Sequence, residues 1–432
     1  MKRRASLAAV VSPLRQLPLE IFGQIFLYAT LDDPRFPLSA SHVCQLWRQA
    51  SVASPDIWTN IQIGNHCRKE YVELFVQRSR SRLMSLKCNE DLPIEYLPDV
   101  STVLSEVGWD CRWKVVHVHS SWHNLSKILS KSWDTVESLV LTSMDSRIRV
   151  LDLESATRLT RLSIRYEKSL KTVCYKLPFS RLTHLNLNIP ASSGVVISIM
   201  SKCRELEELV VILTMLCLYG GPKSSIRLPN LRKLHIRMFQ ADELVKSLQT
   251  PALEDLLFDF DGMTFESRNE CLLEFIHASK STLRKFSISM ISDDDLMEIL
   301  EGMDRVNELR VIGSEQFRGD AMKALVVGRK NESDMVADGD KFEEESEILL
   351  PNLEVLHVIC TSGMTYAHVQ RAFLDVVRSR LLDADSHGEA VARLKTAFLH
   401  SMGPDQPLAF GADGDDISCQ GFDIKTLKGP RD

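Results

Sequence analysis

The sequence predicts an α/β protein in which a small module of three short helices precedes an irregular solenoid of strands and helices. Two observations indicate this fold class. A six-residue apolar pattern occurs about ten times between Trp113 and Val358, and the segments between its copies have helical periodicity. Residues 14–63 carry a different pattern, with three short helical segments. The 432-residue chain is too long for one compact domain unless its core is elongated.

Composition excludes several classes of protein. The net charge is -6 and the sequence pI is about 6.1, so no bulk basic surface favours nucleic acid. The ten cysteines form no CxxC pair, and no apolar stretch approaches the roughly 18 residues of a membrane span. The first residues lack the pattern of a signal peptide. We therefore expect no membrane association, free cysteines, and a cytoplasmic or nuclear location.

The repeated pattern is apolar-x-x-apolar-x-apolar. Clear copies begin at Trp113, Val136, Leu159, Leu182, Leu206, Leu231, Leu253, Leu283, Val306 and Leu353, and weaker copies at Leu83 and Leu394. Successive steps from Trp113 to Val306 span 22 to 30 residues, and the last step of 47 suggests two periods. This pattern at this period is the strand segment of a leucine-rich repeat. The usual asparagine is mostly absent, so we expect irregular repeats. A doubly wound single sheet is the competing fold, and it would need longer, more apolar strands.

The spacers between the copies are predicted to be helices. Examples are "GVVISIMSKCREL", "ADELVKSLQ", "NECLLEFIHASK" and "DDDLMEILEGM". Asp293 to Asp295 suit a helix N-terminus, where negative charge is favourable. Strand plus helix, repeated over residues 64–400, predicts a horseshoe whose units bury their faces by stacking. Residues 1–13 are expected to be flexible, an acidic stretch at about 329–347 to be a mobile insertion, and residues 401–432 to be extended or disordered.

The N-terminal module is predicted from three segments, "LRQLPLEIFGQIFLYA", "SASHVCQLWRQA" and "SPDIWTNI". The first is apolar around most of its circumference, with one row through Ile21 and Ile25 and another through Phe22 and Phe26. Ser54 followed by proline predicts the start of the third helix. Three short helices cannot bury this much apolar surface among themselves, so part of it should face the repeats or another protein.

These segments resemble an F-box of the kind seen in fungal F-box proteins with C-terminal leucine-rich repeats. The matched positions are Leu17, Pro18, Glu20, Ile21, Ile25, Phe26, Val43, Cys44, Trp47 and Trp58. The resemblance implies that the F-box docks a Skp-type adaptor, which links to a cullin–RING ubiquitin ligase, while the repeats hold an unknown substrate protein. The chain would then be a non-catalytic subunit of the ligase.

The resemblance also implies which residues contact the adaptor. The expected set is Leu17, Pro18, Ile21, Ile25, Val43 and Trp47. The alternative is that Phe22, Phe26, Leu46 and Trp47 simply form the internal core of the helices. For each residue taken singly the two interpretations are equally good, whereas for the helix as a whole contact is favoured.

The repeat register predicts the polar face. The third, fifth and seventh positions of each copy should point away from the core. The candidate substrate-binding residues on this face are Arg161, Arg165, His184, Asn186, Lys233, His235 and Arg237. We hypothesise that Arg161, Arg165 and Arg237 pair with an acidic or phosphorylated segment. The competing interpretation is an ordinary solvated face.

The stretch "VVHVHSSWH" raises the possibility of a metal-dependent enzyme centred on His117, His119 and His123. The repeat register places the first two on one outward strand face, and no fourth ligand is evident. No catalytic motif is present, so we expect no catalytic residue, no metal and no cofactor. The sequence is also compatible with an F-box scaffold that acts outside the ligase, and with a small-GTPase activator built on the repeats.

Overall fold

The computed structural model describes residues 16–63, 69–88, 112–119, 133–143, 150–166, 174–189, 193–213, 225–238, 242–259, 269–314, 317–327, 349–360, 366–383 and 391–401. The chain divides into two compact units, residues 1–190 and 191–432. Both combine helices with a parallel sheet, which confirms the α/β class. The predicted flexible N-terminus, the acidic insertion and nearly all of the predicted tail lie outside the described residues.

The first unit opens with helices α1 (Leu19–Asp32), α2 (Phe36–Val43) and α3 (Gln45–Ala53), followed by a 3-10 turn at Pro55–Trp58. The second predicted helix is therefore two helices, since Cys44 is extended with φ -158° and ψ 174°. Arg48 Nε donates a 2.8 Å hydrogen bond to the carbonyl of Ser41, which lies in the last turn of α2. The third predicted helix is only the 3-10 turn, which leads directly into a strand.

The rest of the first unit contains six neighbouring parallel strands, one further helix and a separate pair of strands. Its elements are β1 (Asn60–Ile63), α4 (Lys69–Ser79), β2 (Met84–Cys88), β3 (Trp113–His119), β4 (Ser138–Ser143), β5 (Val150–Asp152), β6 (Arg161–Tyr166), β7 (Cys174–Lys176) and β8 (His184–Asn188). The sheet order is β1-β2-β3-β4-β6-β8, and β5 and β7 form a separate parallel pair. A 3-10 turn at Phe179–Arg181 precedes β8.

The second unit contains seven neighbouring parallel strands, several helices and a separate pair of strands. Its elements are α5 (Ser193–Met200), β9 (Glu208–Leu213), β10 (Ile226–Arg227), β11 (Lys233–Met238), α6 (Asp242–Ser247), β12 (Leu248–Gln249), β13 (Asp255–Asp259), α7 (Asn269–Ser279), β14 (Lys285–Ile291), α8 (Asp293–Leu300), β15 (Glu308–Gly313), α9 (Asp320–Lys323), β16 (Val355–Cys360), α10 (Tyr366–Arg378), a π turn (Ser379–Asp383) and β17 (Thr396–Ser401). The order is β9-β11-β13-β14-β15-β16-β17, with β10 paired to β12. Four predicted spacer helices are confirmed as α5 to α8.

Neighbouring strands align the same position of the repeated pattern. Leu139 pairs with Leu162, and Leu162 pairs with Leu185 in the next strand. One backbone contact also recurs: the carbonyl of Glu137 accepts hydrogen bonds from the amides of Thr160 and Arg161. The corresponding carbonyls on later strands accept the same pair of bonds from the strands that follow them. The pattern therefore predicted both the strands and their register, including β2 and β17 at the two weaker copies.

Helix α8 begins where the acidic run predicted. The Ser292 hydroxyl accepts a 3.3 Å bond from the amide of Asp295, which caps the first turn. The carboxylate of Asp293 accepts from the amides of Arg318, Gly319 and Ala321 at 2.6, 3.2 and 2.9 Å. It therefore ties the start of α8 to the segment that begins α9.

Two repeat assignments from the sequence need correction. Strand β15 pairs directly with β16, so the 47-residue step is one repeat with a long connection and not two periods. The described part of that connection holds the short helix α9 and no strand. A further copy was missed at "WTNIQI". Trp58, Ile61 and Ile63 are buried at the three apolar positions, so β1 belongs to the sheet although it lies within the range 14–63.

No helix in the described ranges has the length and apolarity needed to cross a lipid bilayer.

Candidate functional site

The N-terminal helices share an aromatic core. Phe22 and Phe26 on α1 are 1% and 0% exposed. The ring of Trp47 on α3 lies 6.3 Å from Phe22 and 5.1 Å from Phe26, and Phe36 lies 5.5 Å from Phe26. Packed rings at these distances stabilise the arrangement of the three helices beyond simple area burial. One side of α1 is thereby used to hold the module together.

A second set of contacts joins this module to α4. Trp58 is fully buried, and its indole Nε1 donates a 2.8 Å bond to the Ser51 carbonyl at the end of α3. Its ring lies 5.1 Å from Phe75 on α4, and the guanidinium of Arg78 lies 4.4 Å above it. Burial and the positive charge of Arg48 lower the pKa of Arg78. The helices are therefore joined to α4 through the buried ring of Trp58.

Helix α1 carries a second apolar row on its solvent side. Ile21, Ile25 and Tyr28 are 38%, 48% and 74% exposed. Their spacings of four and three residues place them on one face of the helix. Leu31, three residues after Tyr28, is 73% exposed. We call these four residues the α1 apolar surface.

Exposed apolar side chains are concentrated in this module. Of nine large apolar side chains exposed in the described ranges, seven lie between residues 21 and 52. Single exposed apolar residues are ordinary, but a contiguous group marks an interaction surface. The α1 apolar surface is the main candidate for partner binding.

The six expected adaptor-contact residues fall into two groups. Pro18, Ile21, Ile25 and Val43 are exposed, whereas Leu17 and Trp47 are partly buried. The contacts of Trp47 match its interpretation as a residue of the internal helix core, because its ring packs on Phe22 and Phe26.

Sequence reasoning left two exposed residues out of the contact set. Tyr28 continues the row of Ile21 and Ile25 at helical spacing, so periodicity could have included it. Leu31 lies beyond the predicted helical segment, which ends at Ala29, but α1 extends to Asp32.

The outward residues of the first unit's sheet form what we call the first polar face. Its cations are Lys87, Arg161 and Arg165, all exposed. Arg161 stands opposite Ser138 and His184, and Arg165 stands opposite Thr142 and Asn188.

No carboxylate interrupts this face. The described outward positions of β1, β2, β3, β4, β6 and β8 carry no Asp or Glu. Neither arginine has an ion-pair partner in the part of the chain that the structure describes. The predicted residues Arg161, Arg165, His184 and Asn186 thus share a face with excess positive charge.

The second polar face, formed by the outward residues of the second unit's sheet, is neutralised internally. Lys233 Nζ lies 3.3 Å from Glu208, and Lys285 Nζ lies 2.6 Å from Glu308. Asp255 lies between the two lysines along this row, and burial raises the pKa of its carboxyl. The predicted binding residue Lys233 already has a partner within its own sheet.

Arg237 has a more deeply buried partner. Its Nε lies 3.2 Å from the carboxylate of Asp259, which is 2% exposed. The hydroxyl of Ser289 also donates a 2.6 Å bond to Asp259. The positive charge of Arg237 is thus already offset by a buried carboxylate of its own sheet.

His235 lies between these two cations on β11. Burial, with Lys233 and Arg237 as smaller causes, lowers its pKa from 6.5 to about 4. Its Nε2 is buried without a hydrogen-bond partner in the described ranges. The ring is thus neutral near pH 7 and suited to packing. His357 on β16 stacks edge-on against Phe398 at 4.6 Å, and burial lowers its pKa as well.

The described residues contain no group of three or more histidines, cysteines and acids that could hold a metal ion. His117 points outward from β3, His119 ends that strand, and His123 lies outside the described residues. Burial raises the thiol pKa of Cys203 to about 12 and of Cys360 to about 11, so neither is a thiolate at neutral pH.

Comparisons with protein-family models and with curated proteins found no match for this chain.

Proposed function

We propose that this chain is the substrate-recognition subunit of an SCF-type E3 ubiquitin ligase. Its N-terminal helices act as an F-box that docks a Skp-type adaptor, and through it a cullin. The sheets are leucine-rich repeats that bind a target protein. The chain itself is non-catalytic, needs no cofactor, and works in the cytoplasm or nucleus. The α1 apolar surface is the observation that carries the proposal.

The energetic argument starts from the two sides of α1. Phe22 and Phe26 already supply the internal core, so the exposed row is not needed for folding of the module. Burying the exposed part of Ile21 and Ile25 against a partner contributes roughly 1 kcal/mol each. Tyr28 adds a large amphipathic side chain of a type enriched at interface hot spots. A helix with such a row suits docking into an apolar groove.

The strand arrays support the target-binding role. Each repeat presents outward side chains at regular strand positions, and the register holds these side chains in rows. A target held on such a face gains proximity to the conjugating machinery bound through the adaptor. Proximity raises the effective concentration of target lysines without any chemistry by this chain.

Direct binding of a purified Skp-type adaptor tests the docking step. The double variant Ile21→Glu/Ile25→Glu places two charges on the α1 apolar surface while leaving the aromatic core intact. Burial of unpaired charge should reduce adaptor affinity by roughly a hundredfold or more in calorimetry. The matched control is Val195→Glu, an apolar-to-acidic change at a 37% exposed helical position of the second unit.

The control should bind like the wild type, and far-UV circular dichroism should show that both variants are folded. Adaptor binding that survives the double substitution would refute docking through this surface. Failure of the wild-type chain to bind any Skp-type adaptor would refute the F-box assignment itself.

A second measurement separates the ligase from a scaffold that acts outside it. Wild-type chain should co-purify with adaptor and cullin together, and the assembled complex should support ubiquitin transfer to a bound target. Recovery of the adaptor without cullin would favour the scaffold.

A further inference from the structure

The two polar faces differ in how their charges are balanced. On the second polar face, Lys233, Lys285 and Arg237 each have a carboxylate within 3.3 Å. On the first polar face, the described outward strand positions carry three cations and no carboxylate. A sheet face with unbalanced positive charge is complementary to a partner of opposite charge.

The positions of the three cations define the size of a matching partner. Arg161 and Arg165 lie four residues apart on β6, or roughly 13 Å along the strand. Lys87 lies on β2, three strands away in the sheet order, which is roughly 14 Å across the sheet. Two carboxylates four residues apart in an extended segment have the same spacing as the two arginines.

Polar side chains without net charge surround the arginines. Asn186 stands opposite Ser163, and Asn188 stands opposite Arg165 on the adjacent strand. Their amides can donate to and accept from a peptide backbone. Thr183 Oγ1 lies 2.8 Å from the Nδ1 of His184, which orients that ring beside Arg161.

We propose that the first polar face is the substrate-binding surface, and that it recognises an acidic, extended segment of the target protein. Arg161 and Arg165 pair with carboxylates of that segment, because guanidinium groups bind carboxylates through two parallel hydrogen bonds. Asn186 and Asn188 contact its backbone. This inference rests on the proposed function for its biological meaning, but peptide binding by this face can be measured without the adaptor.

A protein segment fits this face better than nucleic acid. Single-stranded nucleic acid is typically bound by aromatic rings that stack on bases. The described side chains of the first polar face include no Phe, Tyr or Trp.

The test uses the full chain and a dye-labelled ten-residue Gly/Ser peptide with two glutamates four residues apart. The matched peptide has glutamine at both positions. Arg161→Ala/Arg165→Ala should reduce affinity for the glutamate peptide by roughly tenfold, since two charge-assisted contacts are lost. Binding to wild type should also weaken at about 1 M salt, where the screening length is ~3 Å.

The control is Lys233→Ala/Lys285→Ala, which removes the same number of positive charges as the arginine variant. These two lysines already pair with carboxylates of their own sheet. It should bind the glutamate peptide like the wild type. Arg161→Lys/Arg165→Lys keeps the charge but removes the planar fork, and an affinity between wild type and the alanine variant is expected.

Several outcomes would overturn the inference. They are equal binding of the two peptides, equal losses in the two alanine variants, or wild-type preference for a single-stranded oligonucleotide over the glutamate peptide. Each variant is also tested for adaptor binding. Loss of peptide binding with intact adaptor binding supports both proposals, whereas peptide binding without adaptor binding refutes only the ligase assignment.

Discussion

The half-buried imidazole of His235 should make the second unit less stable in mild acid. Its Nε2 is buried without a hydrogen-bond partner in the described ranges, and Lys233 and Arg237 flank it on β11. Protonation would therefore bury a positive charge beside two others. The residues opposite it on the neighbouring strands are Val210 and Leu257, which supply no counter-charge.

The magnitude follows from the two pKa values. Burial lowers the His235 pKa from 6.5 to about 4 in the folded chain. Each pKa unit corresponds to about 1.4 kcal/mol, so the gap amounts to about 3 kcal/mol. Above pH 6.5 the ring is neutral in both states and contributes nothing to the pH dependence. As pH falls from 6.5 towards 4, only the unfolded state takes up the proton, so the free energy of unfolding decreases over this window.

The assay compares wild type with His235→Gln between pH 7 and pH 4. All six tryptophans lie before residue 190, so tryptophan fluorescence would report on the first unit. The second unit is followed by hydrogen exchange of the β11 amides, and the result is compared with urea unfolding monitored by far-UV circular dichroism. Carboxylates and His357 titrate in both proteins, and their contributions therefore cancel in the difference.

Between pH 7 and pH 4 the free energy of unfolding of the wild type should fall by about 3 kcal/mol more than that of His235→Gln. If the difference in free energy of unfolding between the two proteins stays constant over this range, the reasoning is refuted. It would mean that the imidazole gains a proton in the folded state without cost.

Three further predictions concern stability. In urea unfolding of the first unit, Phe26→Ala should lower the free energy of unfolding by about 3–5 kcal/mol and Ile25→Ala by no more than about 0.5 kcal/mol. Equal effects would contradict the two-sided description of α1. Arg380 is fully buried and donates hydrogen bonds to the carbonyls of Leu325, Leu349 and Leu350 at 3.0, 2.7 and 3.0 Å. Arg380→Met should therefore lower the free energy of unfolding by about 3 kcal/mol in denaturant titration. An unchanged midpoint would show that those carbonyls find other donors. A Cβ on Gly23 would lie 2.5 Å from Ser54 Oγ, so Gly23→Ala should lower the melting temperature of the wild type. In a Ser54→Ala background the same substitution should instead stabilise the chain by about 1 kcal/mol. An effect of the same sign in both backgrounds would exclude the clash.

Local periodicity was sufficient to predict most of the secondary structure. Leu162 and Ile164 are two apart and both buried, which is the alternation that a strand requires. The spacer that became α8 shows the 3.6-residue period together with an acidic start at Asp293. These features depend on residues within one repeat, so they are visible in the sequence.

Features that depend on packing between distant residues were predicted less well. "SPDIWTNI" has a good helix start at Ser54 and Pro55, yet only a 3-10 turn forms there. Trp58 is instead buried against Phe75, and the chain continues as β1. The predicted helix around Cys44 is likewise broken, and its ends are connected by the bond from Arg48 to Ser41. Tertiary contacts override local propensity at both places.

The candidate site likewise has features that follow from local sequence and features that depend on contacts between distant residues. The inward and outward strand residues could be read from the sequence, because alternation along a strand is a local property. The pairing of the outward cations could not, because it depends on which strands become neighbours in the fold. Arg237 and Asp259 lie 3.2 Å apart although 22 residues separate them, because they stand opposite each other on adjacent strands. The residues opposite Arg161 and Arg165 on the neighbouring strands are Ser138, His184, Thr142 and Asn188, and none of these is a carboxylate.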